Sequence, residues 1–289
     1  MTAIVHALSA LADGDWATAA AAARSAARQG PDSCLAHALT RYLSDMRVPG
    51  VYDEPRAFET FIDNGGNVEL YRQTIRHVAA VHSDVEPHSV LDIGCGDGRI
   101  TAGVLGAPTT RVELVEPSAE LLDRAIAAVD RPWIEVVAHR ADVRTFLADL
   151  DVTTTWEMVQ STFALHATNP VERPALFASL ARRTPRLIIV EFDVPLFDDR
   201  SDEHIAYLAD RYEQGIREYE DHPEVISNFL MPVLVGQLDA AVPRYTFEQP
   251  IDAWTRLIHD AGFTTTTRLT ARYWWADAFL ISAKTVPNS

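Results

Sequence analysis

Val90-Leu91-Asp92-Ile93-Gly94-Cys95-Gly96-Asp97-Gly98-Arg99 joins an apolar run to three glycines on alternate positions. Residues 89–93 have the composition of a buried strand, and 100–105 read as a short helix. A strand, a glycine turn and a helix in succession form an arrangement that binds phosphates or nucleotides. Glycine lets a ligand come close to the main chain and accepts backbone angles that other residues avoid. The spacing limits which ligand. The dinucleotide fingerprint is G-x-G-x-x-G, and Arg99 stands where its last glycine would fall. No Gly-Lys-Ser/Thr follows, so the turn is no P-loop. A pyrophosphate needs helix N-terminal amides aimed at it. A ligand without phosphate needs only close main-chain contact and a few polar anchors.

Outward from this turn, strands and helices alternate. Strands are expected over 111–115, 133–138, 155–159 and 187–192, with helices over 119–129 and 173–183. Such alternation implies a parallel sheet with crossover helices on both faces. It breaks after residue 192. Residues 201–220 are charged and helical, 224–239 more apolar, and 252–261 a helix closed by Gly262. Strands over 263–270 and 274–283, joined by a short link, suggest an antiparallel pair at the sheet edge. Upstream, the alanine-rich residues 3–43 have helical spacing, punctuated by Gly14-Asp15 and Gly30-Pro31, and give two or three short helices. They faintly resemble one tetratricopeptide-type hairpin, and a single copy is too few for a solenoid. Helices over 53–63 and 67–82 follow, separated by Asp63-Asn64-Gly65-Gly66-Asn67.

The chain has 289 residues, of which 47% are hydrophobic, enough for a sizeable core. The formal net charge of -16 repels phosphate backbones and argues against nucleic acid as a partner. Lys284 is the single lysine. Two cysteines, Cys34 and Cys95, exclude a disulfide scaffold in practice and fit a reducing, cytoplasmic setting. The first apolar stretch has no basic start and is broken at Asp13-Gly14-Asp15, unlike a signal peptide. No run approaches the ~20 apolar residues of a membrane span.

The segment Asp92-Ile93-Gly94-Cys95-Gly96-Asp97-Gly98 resembles motif I of the class I S-adenosylmethionine (SAM)-dependent methyltransferases. Val112-Glu113-Leu114-Val115-Glu116 resembles that family's second strand, Ala141-Asp142-Val143 the segment after the third, and residues 155–162 the fourth strand and its loop. The resemblance covers residues 85–289, with the motifs in the family's order. It implies an α/β, Rossmann-like, doubly wound, seven-stranded sheet that is mostly parallel with an antiparallel last strand. The expected organisation is an N-terminal helical cap region over 1–84 and a SAM-binding core over 85–289. Residues 195–247 form a helical lid inserted in that core. By the same resemblance, Gly94 and Gly96 line the cofactor, and Asp92 orients the loop with a contact to the ammonium. Glu116 accepts from both ribose hydroxyls. Asp142 accepts from the adenine amino group, and Val143 offers its amide there; the alternative for Asp142 is a helix N-cap. Gln160 and Ser161 lie beside the methionine portion. Tyr71 and Arg72 follow the Gly-Gly-Asn turn, and Arg72 could hold the cofactor carboxylate bidentately; otherwise Tyr71 packs and Arg72 is solvated.

The acceptor of the methyl group is weakly encoded, because the sulfonium is already a strong electrophile. His166, just past the fourth strand, is the candidate base, with an unperturbed pKa near the working pH. The alternative is a histidine satisfied at a helix end or in the core. His204 and Tyr207, in the inserted helix, are weaker candidates for that base and for substrate contact. Glu191 and Asp193 could bind a substrate amine or cap a strand end. Tyr207, Tyr212, Tyr219, Phe229, Met231 and Tyr245, with Tyr273, Trp274 and Trp275, could build an aromatic pocket or ordinary core. A catechol-type metal mechanism is not expected: where that family places acidic metal ligands, this chain has Gln160-Ser161 and Glu191-Phe192-Asp193. The leading expectation is a small-molecule methyltransferase like actinobacterial biosynthetic enzymes, without metal, releasing S-adenosylhomocysteine (SAH). O-methylation is slightly favoured over N or C. A SAM-bound enzyme of cyclisation or elimination chemistry, and an inactive binding protein, stay open; so does a homodimer.

Overall fold

The structure, a computed structural model, describes residues 3–45 and 55–285. Its contacts divide the chain into two units. One holds the residues before Glu69, Pro195–Thr246 and Tyr273–Trp275; the other holds Glu69–Val194, Phe247–Arg272 and the chain from Ala276 onward.

The larger unit is a seven-stranded sheet. Its strands are β1 (Ser89–Ile93), β2 (Arg111–Val115), β3 (Glu135–His139), β4 (Met158–Thr162), β5 (Arg186–Phe192), β6 (Phe263–Ala271) and β7 (Ala278–Thr285). They run in the order β3-β2-β1-β4-β5-β7-β6, with β7 antiparallel to both neighbours and the pairs among β1 to β5 parallel. This is the Rossmann-like sheet with an antiparallel last strand. Central parallel strands are covered on both faces, which is why their apolar runs barely alternate. One face packs Val90, Met158, Ile188 and Val190 against a long helix that enters this unit at Glu69 (α5, Gly66–Val85) and a short one (α6, Arg99–Val104). On the same side α7 (Ala119–Val129) buries Leu122, Ala125 and Val129 over Val112 and Leu114. The other face packs Leu91, Val159 and Ile189 under α8 (Val143–Asp149), α9 (Arg173–Ala181) and α13 (Ile251–Asp260).

The strand boundaries depart most from expectation in β4 and β7; β3 also starts two residues late, at Glu135. β4 begins three residues later, at Met158, and continues through Gln160, Ser161 and Thr162. These polar residues end an apolar pattern, yet all three are buried, and the interior supplies side-chain partners for Gln160 and Ser161. β7 begins at Ala278, not at 274. The run Tyr273-Trp274-Trp275 is apolar enough to read as strand, but it leaves the sheet and packs in the smaller unit.

The smaller unit is helical. It contains α1 (Ala3–Ala12), α2 (Trp16–Gln29), α3 (Cys34–Ser44), α4 (Pro55–Asp63) and α10 (Asp202–Glu218), and then α11 (Pro223–Val225), a π-helical turn (Ile226–Leu230) and α12 (Met231–Leu238). Residues 53 and 54 of the expected fourth helix lie outside the described residues. Alanines at 19, 22, 23 and 26 let α2 pack closely on its neighbours. The Trp16 indole N–H donates to Asp239 at 2.6 Å. Trp274 lies where a side chain on Gly215 would be, so the α10 glycine is required by close approach. Among the described residues no helix is long and apolar enough to cross a membrane.

Glu213 of α10 joins this unit across a long sequence interval. Its carboxylate accepts from the Cys34 amide at 2.9 Å, the Leu35 amide at 3.0 Å and the Ser33 hydroxyl at 2.9 Å. These are free N–H groups of a helix N-terminus, where negative charge is favoured. Glu213→Ala is expected to lower unfolding stability by about 1–2 kcal/mol in urea denaturation, the usual range for loss of an N-terminal cap. A change below a few tenths would show that water replaces the carboxylate.

Candidate functional site

The turn after β1 is tied to the end of β2. The Gly94 and Cys95 amides donate to the Val115 carbonyl at 2.8 and 3.2 Å, and the Gly96 amide donates to Glu116 at 3.2 Å. Gly94 and Gly98 are required by their neighbours as well as by positive φ. A methyl at Gly94 (φ 71°) would run into Ala164, and one at Gly98 (φ 76°) would lie 2.6 Å from the Ala125 Cα of α7. Gly96 differs. It has φ 55°, but nothing lies within 4 Å of where its Cβ would be. Main chain there is open for a ligand to approach.

Asp92, on β1, is buried in the face covered by α5 and α6. Its Oδ2 accepts from the Thr101 hydroxyl of α6 and from the Gln160 amide of β4 at 3.0 Å. Gln160 in turn accepts from His82 Nε2 of α5 at 2.8 Å. Asp92 Oδ1 is buried and has no partner among the described residues. Burial pushes the Asp92 carboxyl up to about 6, against its two donors, with a smaller push from the Glu116 charge.

Glu116 is buried one residue past β2. Its second oxygen accepts from the Ser118 amide at 2.9 Å, and burial raises its pKa. Each oxygen still has an acceptor direction to offer. Asp142 caps α8: its oxygens accept the Thr145 amide and hydroxyl, both at 2.9 Å, and the amide bond holds its pKa low. Val143 opens that helix, so its N–H has no helical acceptor. Ser161 is buried and donates to the Ile93 carbonyl at 2.8 Å. The side chains of Gln160 and Ser161 thus brace β1 from within. Arg72 is exposed and forked onto Glu69, at 2.6 and 2.8 Å. The arginine nearer the turn is Arg99, which pairs with Asp97 at 2.6 Å and lies 5.5 Å over the Tyr71 ring.

A second constellation sits past the ends of β4 and β5. Phe163 has φ 53°, a strained angle for a non-glycine residue, and its ring stacks on Phe192 at 4.8 Å. The chain then makes one 3-10 turn (Leu165–Ala167). His166 Nδ1 meets Glu191 Oε2 at 2.9 Å, and its backbone amide donates to Oε1 at 3.1 Å. A buried carboxylate accepts only, so Nδ1 carries a proton, and in the neutral ring Nε2 keeps its lone pair. Burial acts to lower the His166 pKa, but the charge and hydrogen bond of Glu191, helped by Glu248, outweigh it and leave it raised. The His166 carbonyl accepts from the Phe247 amide at 2.8 Å and from Arg173 at 3.3 Å. Arg173 is buried, bonds Gln249 at 2.7 Å and lies 4.3 Å over Trp254.

Asp193 bonds the Ile251 amide at 2.8 Å, a helix-capping contact. His204, Tyr207, Tyr273 and Trp275 belong to the smaller unit. There Tyr207 donates to the Trp275 carbonyl at 3.0 Å, and Phe197 stacks on His204 at 5.5 Å. Burial raises the Tyr273 hydroxyl well above its usual value. No cluster of three or more His, Cys, Asp or Glu that could hold a metal occurs among the described residues. Sequence reasoning missed the His166–Glu191 pairing, the Arg173 clamp and His82. A signal for His82 existed: it lies four residues past Val78 and eight past Thr74, on the helix face that Val78 buries.

Residues 90–185, from β1 to the turn before β5, match a family described as Methyltransferase domain. No curated protein sequence matches the chain. Among solved structures, an O-methyltransferase family protein from Burkholderia thailandensis is similar, with 17% identity and a TM-score of 0.54 over 83% of this chain and 62% of that one. Magnesium protoporphyrin IX methyltransferase from Synechocystis PCC 6803 with bound SAM is similar at 16% identity and a TM-score of 0.53, over 81% and 92%. Its SAH-bound form gives 17%, 0.51, 76% and 84%. At this identity the likeness establishes a shared fold.

The raised Asp92 pKa has a consequence for stability. A group whose folded value exceeds its unfolded one stabilises the fold at low pH and loses that contribution as pH rises through the folded value. The shift from 3.8 to about 6 corresponds to about 3 kcal/mol. Asp92→Asn keeps an acceptor for Thr101 and Gln160. It is expected to be more stable than the wild type at pH 7.5, by up to about 3 kcal/mol, and the gain should shrink as pH falls from 6 toward 4. Chemical denaturation across that range measures it; a pH-independent difference would contradict the assignment.

Proposed function

We propose that this chain, which carries a methyltransferase domain over residues 90–185, transfers a methyl group from SAM to a hydroxyl of a small-molecule acceptor. The single observation that carries the choice of oxygen is the His166–Glu191 pair. A hydroxyl must lose its proton as it is methylated, and a neutral imidazole with Nδ1 tied to a carboxylate is built to take it.

SAM, when bound, supplies an electrophilic methyl on its sulfonium. The buried polar groups around β1 fit such a ligand. Among the described residues Asp92 Oδ1 lacks a partner, as a carboxylate that receives an ammonium would. Glu116 has acceptor capacity for a pair of ribose hydroxyls. Gly96 leaves its main chain uncovered, and Asp142 with the Val143 amide suits the adenine end. His166 Nε2 takes the acceptor proton, and Glu191 stabilises the imidazolium that results. Phe247, Arg173 and Glu191 hold the histidine by its main chain, so little orientation is lost at the moment of transfer. Acceptor selection is assigned to the 195–247 segment and its aromatic side chains.

The test is incubation with SAM and a panel of hydroxylated small molecules, followed by mass spectrometry for a product heavier by one methyl. His166→Ala is expected to lower turnover by about 10²–10⁴-fold with SAH affinity unchanged. Wild-type turnover should fall on the acid side as pH drops through the His166 pKa, which Glu191 holds above the usual histidine range. Glu191→Gln removes the charge that raises it, so the acid limb should move to lower pH while the maximum rate declines. Retained turnover in His166→Ala would refute the base.

A further inference from the structure

We propose that His82 is a positioning residue for ligand binding: through Gln160 it keeps Asp92 ionised and oriented toward a cationic amino group. The proposal rests on the reading that SAM, an amino-acid-type ligand, binds at Asp92.

The connection runs through three elements. His82 lies on α5, Gln160 on β4 and Asp92 on β1, and β1 and β4 are paired so that Asp92 stands opposite Gln160. All three are buried, as is Thr101 on α6. The direction of each hydrogen bond is fixed in turn. An ionised carboxylate only accepts, so Gln160 must aim its NH₂ at Asp92. Its oxygen then faces His82 at 2.8 Å, so His82 must donate from Nε2. Burial lowers the His82 pKa, which favours the neutral ring, and the bond to Gln160 selects this tautomer. The ring's other nitrogen, Nδ1, is buried without a partner among the described residues. Among the described residues the imidazole makes one hydrogen bond, and that bond orients Gln160.

That orientation decides the charge on Asp92. The groups facing the carboxylate are the Thr101 hydroxyl, the Gln160 amide, the Glu116 carboxylate and the Cys95 thiol. Burial and Glu116 favour the protonated form; Thr101 and Gln160 favour the ionised one. Without His82, the Gln160 oxygen is left buried and unpaired, a costly state that the amide relieves by turning over. A turned amide presents oxygen to oxygen at Asp92, and the carboxyl must then take a proton. A neutral Asp92 no longer attracts an ammonium. A purely space-filling side chain at this position would need no hydrogen-bond donor.

The test is SAH binding by titration calorimetry between pH 5.5 and 8, with circular dichroism to confirm folding. Wild-type affinity is expected to weaken as pH falls through about 6, where Asp92 takes its proton. His82→Leu should bind SAH roughly tenfold more weakly at pH 7.5, with the weakening displaced to higher pH. His82→Gln retains a donor for Gln160 and should restore wild-type affinity and pH profile. His82→Met serves as a second apolar replacement where the leucine variant does not fold. A folded apolar variant with wild-type affinity and profile would overturn the proposal, as would a glutamine variant no better than leucine. Failure of both apolar variants to fold would mark a structural role and overturn it too. Absence of SAH binding to the wild type would instead refute the SAM reading and take this proposal with it.

Discussion

A carboxylate buried at the end of a central parallel strand is the constraint on which the larger unit is organised. Asp92 is buried, and its donors come from neighbouring elements: Thr101 from the helix that follows the glycine turn, and Gln160 from the adjacent strand. Gln160 in turn requires a donor, which α5 supplies. The same carboxylate is electrostatically coupled to Glu116, whose oxygen ties the glycine turn to β2. Two buried, electrostatically coupled acids carry a desolvation and repulsion cost. They are kept in place because main-chain amides and side-chain donors are already directed at them.

Much of this was legible from sequence. The alternation of strands and helices gave the parallel sheet, since a pattern of apolar runs separated by amphipathic helices has few other solutions. The glycine spacing located the turn, and Asp92 and Glu116 lie where the resemblance puts them, at either side of it. The chemistry of buried polar residues was less legible. Gln160 and Ser161 interrupt an apolar pattern and so look like the end of a strand, whereas they are its centre. Whether a polar residue ends an element or is satisfied within it depends on partners 60 or more residues away in sequence. Tyr273-Trp274-Trp275 failed for the converse reason: aromatic bulk signals burial without saying in which unit.

The histidine after β4 shows the same division. Its position next to the strand end made it conspicuous, and Glu191 was conspicuous separately. Their pairing depends on the 3-10 turn that brings residue 166 back toward β5. No periodicity announces a three-residue turn. The Arg173–Phe247 clamp that holds it spans two segments separated by the whole of the 195–246 insertion.

The strained angle at Phe163 has an evolutionary consequence. A left-handed non-glycine residue carries a backbone penalty of about 1–3 kcal/mol that surrounding contacts must offset. Here the offset includes the ring stack with Phe192. Replacing Phe192 alone removes the compensation and leaves the penalty. Replacing Phe163 by glycine alone removes the penalty and leaves Phe192 without its stacking partner. The two positions therefore form an epistatic pair, and a lineage drifting at one is pressed to change at the other.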